Sequence, residues 1–165
     1  DHAEAEDAIR DSGMAFTFLR DNFYSDLLPW FAGEDGVIRG PAGDGRVAAV
    51  GRADVADAAV AVLMSPERHE SSVYLLTGPE ALPFHEVAAR GGAALGRHLR
   101  YEPETLEEAY ASRRRWSDEQ WQLDAWVSTY TAIADGDVAE VTDDVERLTG
   151  HAARTIEEAI REFPE

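Results

Sequence analysis

Two short apolar runs, Ala15–Leu19 and Val73–Leu76, are separated by a segment of helical period at Asp54–Met64. Turn residues bound them: Ser12-Gly13 precedes the first, and Thr77-Gly78-Pro79 closes the second. Apolar runs of this length between turn signals read as buried strands. In the segment between them, Val55, Ala58, Ala59, Val62 and Leu63 fall on one helical face. Asp54 is the expected N-cap, and Ser65-Pro66 the stop. Strand, helix and strand with a right-handed crossover make a parallel α/β unit. Two principal strands are too few for a stable doubly wound sheet. The remaining strands are therefore expected from residues outside this chain, from a second chain or from a swapped protomer.

Other elements arrange themselves around that unit. Ala5, Ala8 and Ile9 give His2–Asp11 a helical period. Leu27, Leu28, Trp30 and Phe31, interrupted by Pro29, read as a short helix or a pocket wall. Gly33–Gly45 holds five Gly in thirteen residues and reads as a turn-rich loop with a brief extended piece at Val37-Ile38. Short strands are expected at Arg46–Val50 and Arg97–Glu102, and a helix weakened by Gly91 and Gly92 at Phe84–Leu95. Beyond Thr105 the pattern is helical. Thr105 with Glu108, Ser117 with Gln120 and Thr155 with Glu158 have capping-box spacing. Trp116 and Trp121 take staple positions ahead of a helix reaching about Ala134, whose wide apolar coverage predicts burial on most sides. Thr142–Thr149 is a short helix closed by Gly150. The expected division is residues 1–103, strands and helices of an α/β domain, and residues 104–165, a helical substrate-side subdomain.

Charge excludes several functions. Thirty-three Asp and Glu against fifteen Arg, with no Lys, leave a net charge of −18. That sign repels phosphate backbones and anionic membrane, so neither nucleic acid nor membrane is an expected partner. The absence of Cys removes disulfides and thiolate chemistry. No apolar run approaches a membrane span, and a cytoplasmic setting is expected. The His residues lie at no metal-binding spacing, so no metal site is expected. Arg113-Arg114-Arg115, the one basic run, reads as cations at a helix end, with phosphate reading as the alternative. The chain opens on Asp inside a helical pattern, so an amino-terminal portion is expected to be missing.

The chemistry-bearing cluster follows the first strand: Arg20, Asp21, Asn22, Phe23, Tyr24 and Ser25, with Asn22 the only Asn of the chain. Open α/β sheets bind ligands just past the carboxyl ends of their strands. The alternative is an ordinary loop exit with a capping Asn.

Five stretches, in order, carry a family resemblance: TFLRDNFYSD at Thr17–Asp26, GPAGDGRVA at Gly40–Ala48, RADVADAAVAVL at Arg52–Leu63, YLLTGPEALPFHEVA at Tyr74–Ala88 and ADGDVAEVTDDVERLTG at Ala134–Gly150. His2, Glu6 and the DSG at Asp11–Gly13 add to them. Together they resemble the carboxyl-terminal half of NmrA-like atypical short-chain dehydrogenases, closest to the NAD(P)H:quinone oxidoreductase branch. The resemblance implies the carboxyl-terminal part of a Rossmann-like parallel α/β fold, with NAD(P)H as cofactor and its phosphate-binding half outside this chain. It implies that Arg20, Asn22, Phe23 and Tyr24 line the nicotinamide and substrate cleft. Phe23 and Tyr24 would supply flat apolar contacts, and Asn22 an orienting amide. The wider superfamily's Tyr-x-x-x-Lys pair places its Lys near His2, which is the candidate for proton transfer or simply a helix-start residue. Gly40–Gly45 superficially resembles a phosphate loop but lacks the strand–loop–helix context and reads as a turn. The implied activity is hydride transfer from NAD(P)H to a quinone or similar small planar acceptor. The alternatives are a non-catalytic dinucleotide-sensing regulator and a structural fragment bound to a protein partner, with a homo-oligomer or the missing amino-terminal half as the partner.

Overall fold

The computed structural model describes residues 2–163. Helix α1 (His2–Asp11) leads into strand β1 (Thr17–Asp21), which lies two residues later than the apolar run suggests. β1 pairs in parallel with β4 (Ser72–Leu76), Thr17 opposite Ser72 and Asp21 opposite Leu76. Between them in sequence runs α2 (Arg52–Met64), whose Ala58 packs in one core with Val50, Tyr74, Leu76 and Val145. The α/β class and the parallel unit expected from the sequence are both present.

The two edges of this sheet differ. Along β4, the Leu75 N–H donates to Asp144 Oδ2 at 2.8 Å, and the Thr142 hydroxyl donates to the Leu75 carbonyl at 2.5 Å. Side chains thus satisfy the edge groups that would otherwise invite another strand. β1 has no strand partner other than β4 among the described residues. Its sheet is also thinly covered: α1 buries none of its residues, and Val73 stays 42% exposed. Parallel sheets are ordinarily covered on both faces, so β1 presents an unfinished side.

A second body forms around β2 (Val37–Gly40) and β6 (Arg100–Pro103), also parallel, with Val37 opposite Arg100. Short strands β3 (Arg46–Val47) and β5 (Leu82–Pro83) pair antiparallel, and α3 (Phe84–Ala94) packs on β6. The Phe84 ring sits between Tyr101 and Tyr130, at centroid distances of 5.3 and 5.4 Å. Tyr130 belongs to α5 (Gln120–Asp135), which follows α4 (Leu106–Arg113). Of the later helices, α6 (Asp144–Thr149) packs on α2, and α7 (Ile156–Glu162) packs on α3.

The glycine-rich stretch earns its composition by close approach. A Cβ on Gly40 would lie 2.2 Å from Tyr130 Cδ1, and one on Gly45 would lie 2.1 Å from the Ile133 carbonyl oxygen. Both glycines let β2 and β3 lie against α5.

Several local expectations change. The N-cap of α2 is Gly51, while Asp54 lies in the first turn, fully buried and paired with Arg154. Leu63 leaves the buried face and is 76% exposed. The N-cap of α5 is Glu119 with no side-chain cap, and Ser117 Oγ instead accepts from the Glu119 N–H at 3.1 Å. α5 buries one stripe, Leu123, Val127, Tyr130 and Ile133, and leaves Trp121 and Trp126 exposed. The capping boxes at Thr105 and Thr155 form as expected. Thr105→Ala should cost about 1 kcal/mol, read as a lower urea midpoint.

Arg90 ties α3 to α7 and to the β4 exit. It donates to Glu157 at 2.6 and 2.9 Å and to Glu80 at 2.6 Å. The guanidinium holds the Glu157 carboxyl at about 2, against an ordinary 4.5. A carboxyl depressed in the folded state stabilises fully above its unfolded value and loses that contribution as pH falls through its folded one. The protein should therefore lose stability between about pH 4.5 and about pH 2. Arg90→Met should flatten that acid limb in melting temperatures measured against pH.

Candidate functional site

The carboxyl ends of β1 and β4 face the same way, and the candidate residues lie at the β1 exit. The Asn22 N–H extends the ladder to the Leu76 carbonyl at 3.1 Å. Its side-chain oxygen accepts from the Phe23 N–H at 2.7 Å, and its amide nitrogen donates to the Val138 carbonyl at 3.0 Å. The amide is thereby fixed in orientation, with one N–H and one lone pair to spare. Phe23 is partly buried against the core around Leu28, Tyr130 and Ile133. Tyr24 packs against the α2 core, and its hydroxyl donates to the Asp21 carboxylate. That bond, then burial, raises the Tyr24 pKa above 10.0, which makes it a weak acid and a firmly placed ring.

Arg20 and His2 lie towards α1. Arg20 donates to Glu6 from Nε at 2.8 Å and from Nη2 at 2.6 Å. Those bonds hold the half-buried Glu6 carboxyl at about 2. His2 is exposed in the first turn of α1, one turn before Glu6 on the same helical side. Asn22, Phe23 and Tyr24 therefore form one knitted exit, and Arg20 is held beside it by α1.

Chain backbone fills the crevice between the two strand exits. Val50 N–H donates to the Phe23 carbonyl at 2.8 Å, the Ser25 N–H donates to the Val50 carbonyl at 2.9 Å, and the Gly78 N–H donates to the Ala48 carbonyl at 3.1 Å. Gly78 is needed there because a Cβ would lie 2.2 Å from the Ala49 oxygen. Beneath this plug lies a cavity of about 10 Å³ lined by Ser25, Val47, Pro79 and Val87 among others. The buried Ser25 hydroxyl has no protein partner.

A dinucleotide's pyrophosphate finds no cradle among the described residues. The Gly40–Gly45 turn is pressed against α5 and leads into β3 rather than a helix. The α2 N-terminus, which lies beside the β1 exit, is already taken by a carboxylate. Asp26, buried, accepts from the Arg52 N–H at 3.2 Å and pairs with the Arg52 guanidinium. Asp54 adds a second buried carboxylate in that first turn. Both charges oppose a phosphate where helix N-termini otherwise favour one.

Asp54, Asp57 and His151 bring ligand-type atoms within 4.8 Å of one another. Arg154 is already among them, paired with Asp54 and 3.2 Å from Asp57, so the cluster is an ion-pair network that ties the α7 entry to α2. The sequence marked Asp21 within the exit cluster without its partner, and gave no role to Asp26 or Arg154. Asp21 lies three residues before Tyr24, which is a legible spacing. Arg154 lies a hundred residues from Asp54, with no local signal.

No family model matches the chain. It is 36% identical over 158 residues to the NAD(P)H azoreductase of Xenophilus azovorans, covering 94% of this chain and 55% of that protein. The crystal structure of an NADPH-dependent quinone oxidoreductase from Escherichia coli superposes with a TM-score of 0.85 at 29% identity, over 99% of this chain and 60% of that one. NmrA, a negative transcriptional regulator, shares the fold with a TM-score of 0.65 at 19% identity, over 96% of this chain and 55% of that one. The structural neighbours are thus quinone oxidoreductase-type and NmrA-like proteins, and the fold is that of a Rossmann-like NAD(P)-binding oxidoreductase region. The chain spans about half the length of the curated relatives it matches. Among the described residues, no helix is long and apolar enough to cross a membrane.

Proposed function

We propose that this chain is the substrate-side portion of an NAD(P)H-dependent oxidoreductase that passes a hydride to a quinone or similar small planar acceptor. The observation that carries this reading is the near-complete superposition on an NADPH-dependent quinone oxidoreductase, whose remaining 40% is the share this chain does not cover. The azoreductase relative, also NAD(P)H-dependent by name, supports the same class. Lack of a pyrophosphate cradle among the described residues fits a division of labour in which the dinucleotide is held elsewhere. The strand order supports it too: β4 has its outer edge capped, and β1 has its outer edge open.

In this division the chain contributes a wall and an orientation. Two flat partners exchanging a hydride must be held close and aligned, and that positioning supplies much of the rate. Phe23 and Tyr24 offer fixed aromatic surface, and Asn22 a fixed amide with unused hydrogen-bonding capacity. Arg20, held by Glu6, supplies positive charge on the same strand. His2 stays exposed as the candidate for proton delivery. Residues 104–165 would wall the substrate side.

The test joins this chain to the part of the Escherichia coli quinone oxidoreductase that it does not cover, and follows NADPH oxidation with benzoquinone. Asn22→Ala in that chimera should lower turnover by about tenfold to a hundredfold through misplacement of the acceptor, with the far-ultraviolet circular dichroism unchanged. An unchanged rate would remove Asn22 from the site. The absence of any Lys, and so of the usual Tyr–Lys pair, favours a second reading, a sensor that binds the dinucleotide without turnover. The same chimera separates the two readings, since a sensor would bind NADPH and leave benzoquinone unreduced.

A further inference from the structure

Helix α4 carries on its outer face an arrangement that the oxidoreductase reading does not use. Glu107, Ala111 and Arg114 are all exposed and lie at i, i+4 and i+7, one straight row. Neither Glu107 nor Arg114 has a side-chain partner among the described residues, although most Arg of this chain are paired. The row ends in Arg115 and Trp116, the guanidinium 4.0 Å from the ring centre, with the ring 62% exposed. At the opposite end Leu106 is 54% exposed. Beside Ala111 runs an open groove of about 560 Å³ lined by Arg39, Glu102, Glu104 and Glu108, whose carboxylates are already engaged by Arg39 and Arg100, by Arg113 and by the Thr105 cap.

We propose that this face pairs with a second copy of the chain, two α4 helices crossing antiparallel about a twofold axis between Tyr110 and Ala111. The face is complementary to itself. Rotation about that point sets Glu107 against the partner's Arg114 and Arg114 against the partner's Glu107. Ala111 at the crossing lets the axes approach to about 8–10 Å. A twofold interface requires this kind of self-match, with the same patch on both subunits. Charge selects the second copy over other occupants of its own surface. Two chains of net charge −18 repel over most faces, and this row is a face on which each copy sets an exposed, unpaired Arg114 against the partner's exposed, unpaired Glu107.

The test is a charge swap read by sedimentation velocity of the intact chain. The wild type should show a concentration-dependent monomer–dimer equilibrium. Glu107→Arg alone and Arg114→Glu alone each juxtapose like charges twice across the axis, and each should weaken the dimer by at least about tenfold. The double variant E107R/R114E re-creates both pairs with their signs exchanged and should restore it. Should either reversal unfold the chain by circular dichroism, E107Q and R114Q take its place, each expected to weaken the dimer. A chain that stays monomeric at every concentration overturns the proposal. So does a dimer indifferent to the single changes, or a double variant no tighter than the singles.

Discussion

Gly45→Ala is expected to destabilise the protein by about 3 kcal/mol or more, because the added methyl has nowhere to go. Its Cβ would lie 2.1 Å from the Ile133 carbonyl oxygen and 2.7 Å from the Ala134 Cα. Both are backbone atoms of α5, so no side chain can rotate away. Relief would need β3 to part from α5, and that contact also seats Ile133 in the core with Val47 and Leu82. Gly43→Ala, two residues earlier, supplies the control. Gly43 has φ +53° and open space around its Cβ position, so it should cost only the left-handed backbone penalty, about 1–2 kcal/mol. Urea unfolding of both variants checks the difference. Equal costs would mean that the turn does not press on α5.

Arg113→Ala should cost about 3–5 kcal/mol, because it strands a buried carboxylate. Arg113 and Glu104 are 2.8 Å apart, with side chains only 8% and 10% exposed. The same guanidinium donates to the Arg39 carbonyl at 3.0 Å and lies 5.2 Å from the Tyr130 ring centre. It therefore bolts α4 to β2 and to α5 at one point. Replacing both partners by apolar residues, Arg113→Met with Glu104→Leu, should recover most of the loss, since removing a buried pair together leaves no orphaned charge. A chemical-denaturation cycle over the four proteins reads the coupling directly. Burial pushes the Tyr130 hydroxyl up to about 12, in spite of Arg113.

How much could be read without the structure divides along physical lines. Short-range devices were legible: the boxes at Thr105 and Thr155, the left-handed stops at Gly136 and Gly150, and the apolar runs that became β1 and β4. Each is decided within a few residues. Positions decided by a distant partner were not. Asp54 has the chemistry of an N-cap and sits near a helix start, but Arg154 claims it from the far end of the chain. Arg113 looks like one more cation at a helix end, and only the fold shows that Glu104 and the Arg39 carbonyl receive it indoors. The glycines of Gly40–Gly45 signal a turn by composition, while their actual constraint is the α5 backbone and the Tyr130 ring. At the candidate site the sequence marked the β1 exit through its aromatics and lone Asn. It could not indicate that Ala48–Val50 would plug the crevice between the two exits, or that the outer edge of β1 would be the open one.

That open edge leads to the most direct measurement: calorimetric titration of NADPH, followed by benzoquinone-dependent NADPH oxidation, in the chimera that supplies the uncovered part of the quinone oxidoreductase. The account predicts that this chain alone takes up no measurable heat, that the chimera binds NADPH, and that benzoquinone is then reduced at a rate sensitive to Asn22. Tight NADPH binding by this chain alone, or a folded chimera that binds NADPH and reduces no quinone, would contradict it.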